Sequence, residues 1–302
     1  MVDIVATVAA MAADLEDNMF NPKETLDKMV EAITARKLNY YDLVLYHDGE
    51  WHTRVLQSVA NCQNCYSVTK AYTAAAIGIA NDMGLLKLDD TLHTFFDGDK
   101  RVTVKHLLTH TMGNEHGYLF EADRHSIQTD NWLAHVLAQP LKHEPGTHVT
   151  YSNSNFYLIS RIIHKVSGMN MSAFLRKHLF TPLGIKDFAW AECPQDYTQG
   201  GTGLHMSTKD MAKLGVLYLN KGVWGGKQII SEAWINEATK NQTSHIPWTR
   251  FGFGLNALEN GFEFAGAYNQ FVTVDTQNGV VVAAHGYIDP KSITSIYELE
   301  IK

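Results

Sequence analysis

NCQNCYSVTKAYTAAAIGIA, residues 61–80, holds two competing pieces of chemistry: Cys62 and Cys65 form a C-x-x-C, and Ser67 and Lys70 form an S-x-x-K. From Ser67 the sequence turns Ala-rich and helical as far as Gly84, which has the place of a C-cap. On a helix, an S-x-x-K puts the hydroxyl and the amine on one face, within reach of each other. A serine at a helix N-terminus gains from the positive end of the dipole, and a desolvated lysine loses its proton near neutral pH and serves as base. The cysteine pair is weaker. A thioredoxin-like motif wants a strand and βα order in a small domain, a zinc site wants a second ligand pair at short spacing, and Cys193 stands alone. Cys62 and Cys65 are therefore read as packing side chains. A lone S-x-x-K also occurs by chance in most chains of this length, so the surrounding sequence has to decide.

Working outward, Asn21-Pro22-Lys23-Glu24 has the form of a capped helix start, with Leu26, Met29, Val30 and Ile33 following at helical spacing. "DLVLYHDGEWHTRVL" reads as a hairpin turning at Asp48-Gly49. Residues 85–204 are a series of short helical patterns, and Ser207 caps a further helix with Met211, Leu214 and Leu217 on one face. "FEFAGAYNQFVTVDTQNGVVVAAHGY" offers β-rich runs, the last two joined at Asn278-Gly279, and "YIDPKSITSIYELEIK" closes with a brief helix. Strands at both ends with helices between them predict an α+β fold, an antiparallel sheet flanked by helices and interrupted by a mostly helical insertion. The expected partition is 1–85 with 205–302 as the sheet domain and 86–204 as the helical domain, the active site lying in the cleft between them.

A chain of 302 residues with 45% hydrophobic content can bury the core of two packed lobes. Its net charge of −7 and scattered basic residues exclude nucleic acid as an expected partner. No stretch approaches the roughly 20 apolar residues of a membrane span. "MVDIVATVAAMAADLEDNMF" lacks the positive start of a secretory signal, and an odd number of cysteines gives no disulfide framework. A cytoplasmic protein is expected, with a removed leader as the alternative. His106 and His110 share a helix face, but Leu-Leu-Thr between them lacks the Glu of a metalloprotease, so packed or capping histidines are expected.

What raises the S-x-x-K above chance is Tyr151-Ser152-Asn153 in "HVTYSNSNFYLIS". In an extended segment Tyr151 and Asn153 point the same way. A phenol beside an amine relays protons, and an Asn amide can hold a substrate carbonyl or amide. Together the motifs resemble the penicillin-recognising serine hydrolases: class C β-lactamases, DD-peptidases and related esterases and amide hydrolases. "SVTKAYTAAAIGIANDMGLLKLDDTL", "VTVKHLLTHTMG", "GTGLHMSTKDMAKLG" and "GAYNQFVTV" look like the corresponding family segments in family order, over roughly residues 40–288.

The resemblance implies Ser67 as acylated nucleophile, Lys70 as its base partner, Tyr151 as proton shuttle and Asn153 as substrate-orienting amide, with no metal or organic cofactor. It places the oxyanion hole at the backbone N–H groups of Ser67 and Ala267. The family's third motif, Lys-Thr-Gly or His-x-Gly, is here Phe264-Ala265-Gly266. Gly266 is kept, but the cation and hydroxyl that commonly serve a substrate carboxylate are gone. A Phe264 wall then points to a small apolar ester or amide, with His205 or His116 as alternative polar contacts. The substrate class is a small ester, amide or β-lactam-like molecule. The rivals are a β-lactamase or DD-peptidase reading its carboxylate by another group, a non-catalytic binding protein of the same fold, and thiol redox chemistry.

Overall fold

A computed structural model of the chain describes residues 20–289. The readings of the N-terminal segment and of a closing helix fall in 1–19 and 290–302, outside the described residues. Helix α1 (Pro22–Ala35) starts as its sequence requires: Asn21 accepts the backbone N–H groups of Lys23 and Glu24, each at 3.2 Å. Glu24 pairs with Lys28 at 2.8 Å, one helical turn on, instead of completing a capping box. Strands β1 (Tyr40–His47) and β2 (Glu50–Val55) form the hairpin, with φ of 48° at Asp48 and 85° at Gly49, as a tight two-residue turn demands.

A small three-stranded sheet joins β3 (Gln63–Asn64), β4 (Ala189–Trp190) and β5 (Leu204–Met206) in the order β3-β5-β4. The chain then enters α2 (Thr69–Asp82), buried from Thr69 through Ala80. A helix buried on every side and mostly apolar belongs in the middle of a core, and its small alanines let neighbours approach closely. Short helices fill the stretch up to residue 180, together with the longer α3 (Asn153–Ser167). Ser207 caps α4 (Thr208–Leu219) by accepting the N–H of Asp210 at 3.1 Å.

Strands β6 (Asn256–Leu258), β7 (Gly261–Gly266), β8 (Gln270–Asp275) and β9 (Val280–Gly286) complete a six-stranded antiparallel sheet, ordered β2-β1-β9-β8-β7-β6. Its middle pairs the two ends of the chain, Val44 opposite Ala283. The period-two alternation of the strands divides their side chains between two layers. Leu43, Leu45, Phe271, Val280 and Val282 pack with Leu26, Met29 and Ile33 of α1, while Val44, Phe262, Phe264, Val272, Val274 and Val281 join the larger core. Gly215 of α4 seats that helix closely on the sheet: a Cβ there would lie 2.8 Å from Val272 and 3.0 Å from Val281. Among the described residues no helix is long and apolar enough to cross a membrane.

Candidate active site

Ser67 lies in a turn of 3₁₀ helix, Tyr66–Val68, that runs directly into α2, and Lys70 follows one helical turn later. Lys70 is 2% exposed, and its Nζ donates to Ser67 Oγ at 3.0 Å, Asn153 Oδ1 at 2.7 Å and the Gly201 carbonyl at 2.7 Å. Asn153 is oriented by its Nδ2, which donates to the Leu119 carbonyl at 3.1 Å. Two of the three partners are thus pure acceptors and claim two N–H groups. As an ammonium Lys70 donates to all three; were it neutral, its two N–H groups would stay with the pure acceptors and its lone pair would face the Ser67 hydroxyl. Burial pulls the Lys70 pKa below the usual lysine range, opposed by the Tyr151 phenol beside it. Its Nζ lies 4.7 Å from the Tyr151 ring centroid.

The Gly201 carbonyl reaches Lys70 because nothing larger than glycine fits there: a Cβ would stand 2.9 Å from the Cα of Asn153. Gly117 similarly lets its loop touch the Tyr151 carbonyl, where a Cβ would lie at 2.2 Å. Tyr151 is 38% exposed, and Ser152 caps α3 with Oγ on the N–H of Ser154 at 3.1 Å. The backbone therefore turns from extended to helical at Asn153, and that residue's amide goes to Lys70 and Leu119. Asn153, expected to orient substrate, is 7% exposed and its amide holds the lysine.

Gly266 ends β7 against the serine turn, where a Cβ would meet the Cys65 carbonyl at 2.6 Å and Ser67 N at 3.2 Å. This close approach brings Ala267 beside Ser67. Phe264 does not form a cleft wall. It is 0% exposed and packs edge-on against Tyr218 of α4, with ring centroids 5.8 Å apart. Two residues before Gly266, it shares a strand face with Phe262, and that face belongs to the core. His205 is half-buried in β5 with Nδ1 3.1 Å from the Gly203 carbonyl, and His116 is exposed; neither lines the cleft.

The cleft measures about 450 Å³ and is lined by Ser67, Lys70, His110, Phe120, Tyr151, Phe251, Gly254, Leu255, Asn256, Ala265, Gly266 and Ala267. Its apolar wall is therefore real but comes from other residues than expected. Tyr151 stacks with Phe120 at 6.3 Å and lies against His110 at 4.3 Å, and His110 in turn meets Phe251 at 5.4 Å. His110 Nδ1 accepts the Ser152 N–H at 3.2 Å, which leaves the ring proton on Nε2. Burial, with the Lys70 charge adding to it, holds His110 well below the usual histidine range and keeps it neutral. His106 is a helix cap, exchanging bonds with Thr103 at 3.2 and 3.3 Å. Sequence reasoning missed Phe251, Leu255 and Asn256. The F-G-F-G run at 251–254, which begins with Phe251 and leads into Leu255, was the available signal, because Gly254, at φ 68°, sits where a Cβ would be 2.6 Å from the Lys70 carbonyl.

Behind the serine turn runs a buried polar chain. Thr208 Oγ1 donates to Asp42 Oδ1 at 2.5 Å and so accepts from His285 Nδ1 at 2.7 Å, leaving His285 Nε2 to accept the Cys65 thiol at 3.7 Å. Burial pushes His285 down to about 3 and drives the Cys65 thiol far up, so this thiol is inert. Cys62 is half-buried and both cysteines are free.

A family model described as Beta-lactamase matches residues 58–286. Penicillin-binding protein 4* of Bacillus subtilis (strain 168) is 30% identical over 129 residues, covering 40% of this chain and 29% of that protein. The chain thus matches less than a third of that relative's length. Among solved structures, the octameric penicillin-binding protein homologue from Pyrococcus abyssi superposes with a TM-score of 0.72 at 22% identity, over 93% of this chain and 77% of the other. EstCE1, a hydrolase with promiscuous acyltransferase activity, gives 0.70 at 18% identity, over 90% and 94%. These likenesses carry the fold, an α+β architecture with an antiparallel sheet. With the match running from just before Ser67 to the end of the last sheet strand, the chain belongs to the β-lactamase family of serine hydrolases.

Proposed function

We propose that this protein hydrolyses a small, uncharged ester or amide through an acyl-enzyme on Ser67. The observation that carries the reading is the placement of Lys70, whose two N–H groups are held by Asn153 and Gly201 while its third direction meets Ser67 Oγ at 3.0 Å. In the neutral form, Lys70 takes the hydroxyl proton as Oγ attacks the carbonyl carbon. The backbone N–H groups of Ser67 and Ala267 receive the oxyanion. Tyr151 gives its phenolic proton to the leaving alkoxide or amine and is reprotonated from Lys70. Water then attacks the acyl carbonyl, its proton passing back through Tyr151 and Lys70, and Ser67 is restored.

The preference for an uncharged substrate rests on the lining. Among the described residues no Lys or Arg lines the cleft apart from Lys70, which is committed to three partners, while Phe120, Phe251 and Leu255 do. A carboxylate brought there would lose its hydration without gaining a cation. Intact mass spectrometry of wild-type and Ser67→Ala protein, after exposure to activated esters, a fluorophosphonate and a penicillin, tests this. A wild-type ester and fluorophosphonate adduct, lost in Ser67→Ala, is expected. Rapid stoichiometric acylation and turnover of penicillin would overturn the substrate preference, and no labelling by any reagent would leave a binding protein of the same fold.

A further inference from the structure

Tyr66 precedes Ser67 and Tyr268 follows Ala267, so one tyrosine stands immediately beside each backbone donor assigned above. Both have left-handed backbone, with φ of 45° and 57°. For aromatic residues that conformation is strained and persists only where the surroundings impose it. Here they do. Gln270, 2% exposed, donates from Nε2 to the carbonyls of Ala267 and Tyr268, both at 3.3 Å, while its Oε1 accepts the Gly286 N–H at 3.0 Å. The N–H of Ile288 donates to the same Tyr268 carbonyl at 3.2 Å. On the other side, the Tyr66 N–H donates to Asn64 Oδ1 at 2.9 Å.

This backbone pushes the two rings together, edge to face, with centroids 5.0 Å apart. Tyr287 stacks on Tyr268 at 4.3 Å and 14°. A core cluster would be buried, but Tyr66 and Tyr268 are only partly so and Tyr287 is 49% exposed. None of the three lines the cleft itself, but Ser67 and Ala267, the neighbours of Tyr66 and Tyr268, do; three rings left half in water on a fixed backbone thus flank the cleft and are placed to meet the part of a substrate that extends past it.

We infer that Tyr66, Tyr268 and Tyr287 form a substrate subsite for a planar aromatic group, making aryl-bearing esters or amides the preferred substrates. The inference rests on the Ser67 reading for its position. The rings offer faces and edges that an aryl group matches and an alkyl chain does not, and such a contact changes affinity by about tenfold.

The test compares kcat/KM for matched esters, benzyl against butyl on the alcohol side and phenylacetyl against butyryl on the acyl side. In at least one series the aryl-to-alkyl ratio falls about tenfold in Tyr287→Leu and is kept in Tyr287→Phe. An unchanged ratio in Tyr287→Leu in both series overturns the subsite. Binding of the same esters to Ser67→Ala by calorimetry separates the two readings. Aryl binding about tenfold tighter than alkyl, and lost on adding Tyr287→Leu, supports the subsite even if Ser67 is never acylated. Equal binding of aryl and alkyl esters refutes it.

Discussion

Gly266→Ala would strike the contact that sets the two proposed oxyanion donors, Ser67 and Ala267, side by side. Gly266 has φ −131°, an ordinary extended value, so space rather than conformation requires the glycine. A Cβ would stand 2.6 Å from the Cys65 carbonyl oxygen, against a practical floor of 3.0 Å. Strand β7 must therefore retreat from the serine turn by at least 3.0 − 2.6 = 0.4 Å, and Ser67 N, at 3.2 Å from the same atom, moves relative to Ala267. A misplacement of about 1 Å costs on the order of 10²-fold, and loss of one oxyanion donor about 10²–10³-fold. A partial spread of the two donors is expected to lower kcat/KM by about 10–100-fold. Overpacking should also remove about 1–3 kcal/mol of stability, read as a fall of a few degrees in Tm. Stopped-flow acylation by a chromogenic ester, beside a thermal melt, measures both. Gly279→Ala is the control: at φ 67° with no atom within 4 Å of the added Cβ, it should lose stability and keep its rate. Wild-type kcat/KM in Gly266→Ala would refute the assignment of the donors.

Lys70→Arg should abolish turnover by at least about 10³-fold, because a guanidinium stays protonated, and wild-type activity should rise with pH as the lowered lysine pKa is crossed. A pH–rate profile flat on its acid side would count against Lys70 as base. Because His285 is pushed down to about 3, the unfolded chain binds a proton that the folded chain refuses between about pH 3 and 6.5, so stability falls as pH drops through that window. The cost approaches about 4 kcal/mol at the acid end, and urea midpoints in His285→Gln should show a shallower slope. Thr208→Val strands Asp42 and the His285 Nδ1–H and is expected to cost about 1–3 kcal/mol by chemical denaturation. Thiol labelling of the native protein should modify Cys62 and spare buried Cys65, while Cys62→Ser retains esterase activity; loss of activity there with Ser67→Ala active would bring back the redox alternative.

The elements legible in the sequence were those whose cause is local. Asn21 and Ser207 cap helices through bonds to residues two or three positions on, and the turns at Asp48-Gly49 and Asn278-Gly279 need only their own backbone freedom. The Ser67–Lys70 pairing is likewise one helical turn. What desolvates Lys70 is not local: Asn153 and Gly201 arrive from 83 and 131 residues away. The third motif shows where such reading fails. Matching on Gly266 carried over only the need for a close backbone approach, and the structure shows that glycine packed against the serine turn. It carried no information about Phe264, whose direction follows from strand parity and from Tyr218 waiting on the inner face. The same conclusion about an apolar cleft survives because Phe120, Phe251 and Leu255 line it, each brought by a loop whose course depends on glycines fitted against distant backbone. A motif glycine thus places the chain, and which side chains then face the cleft is settled by the packing on the far side of the sheet.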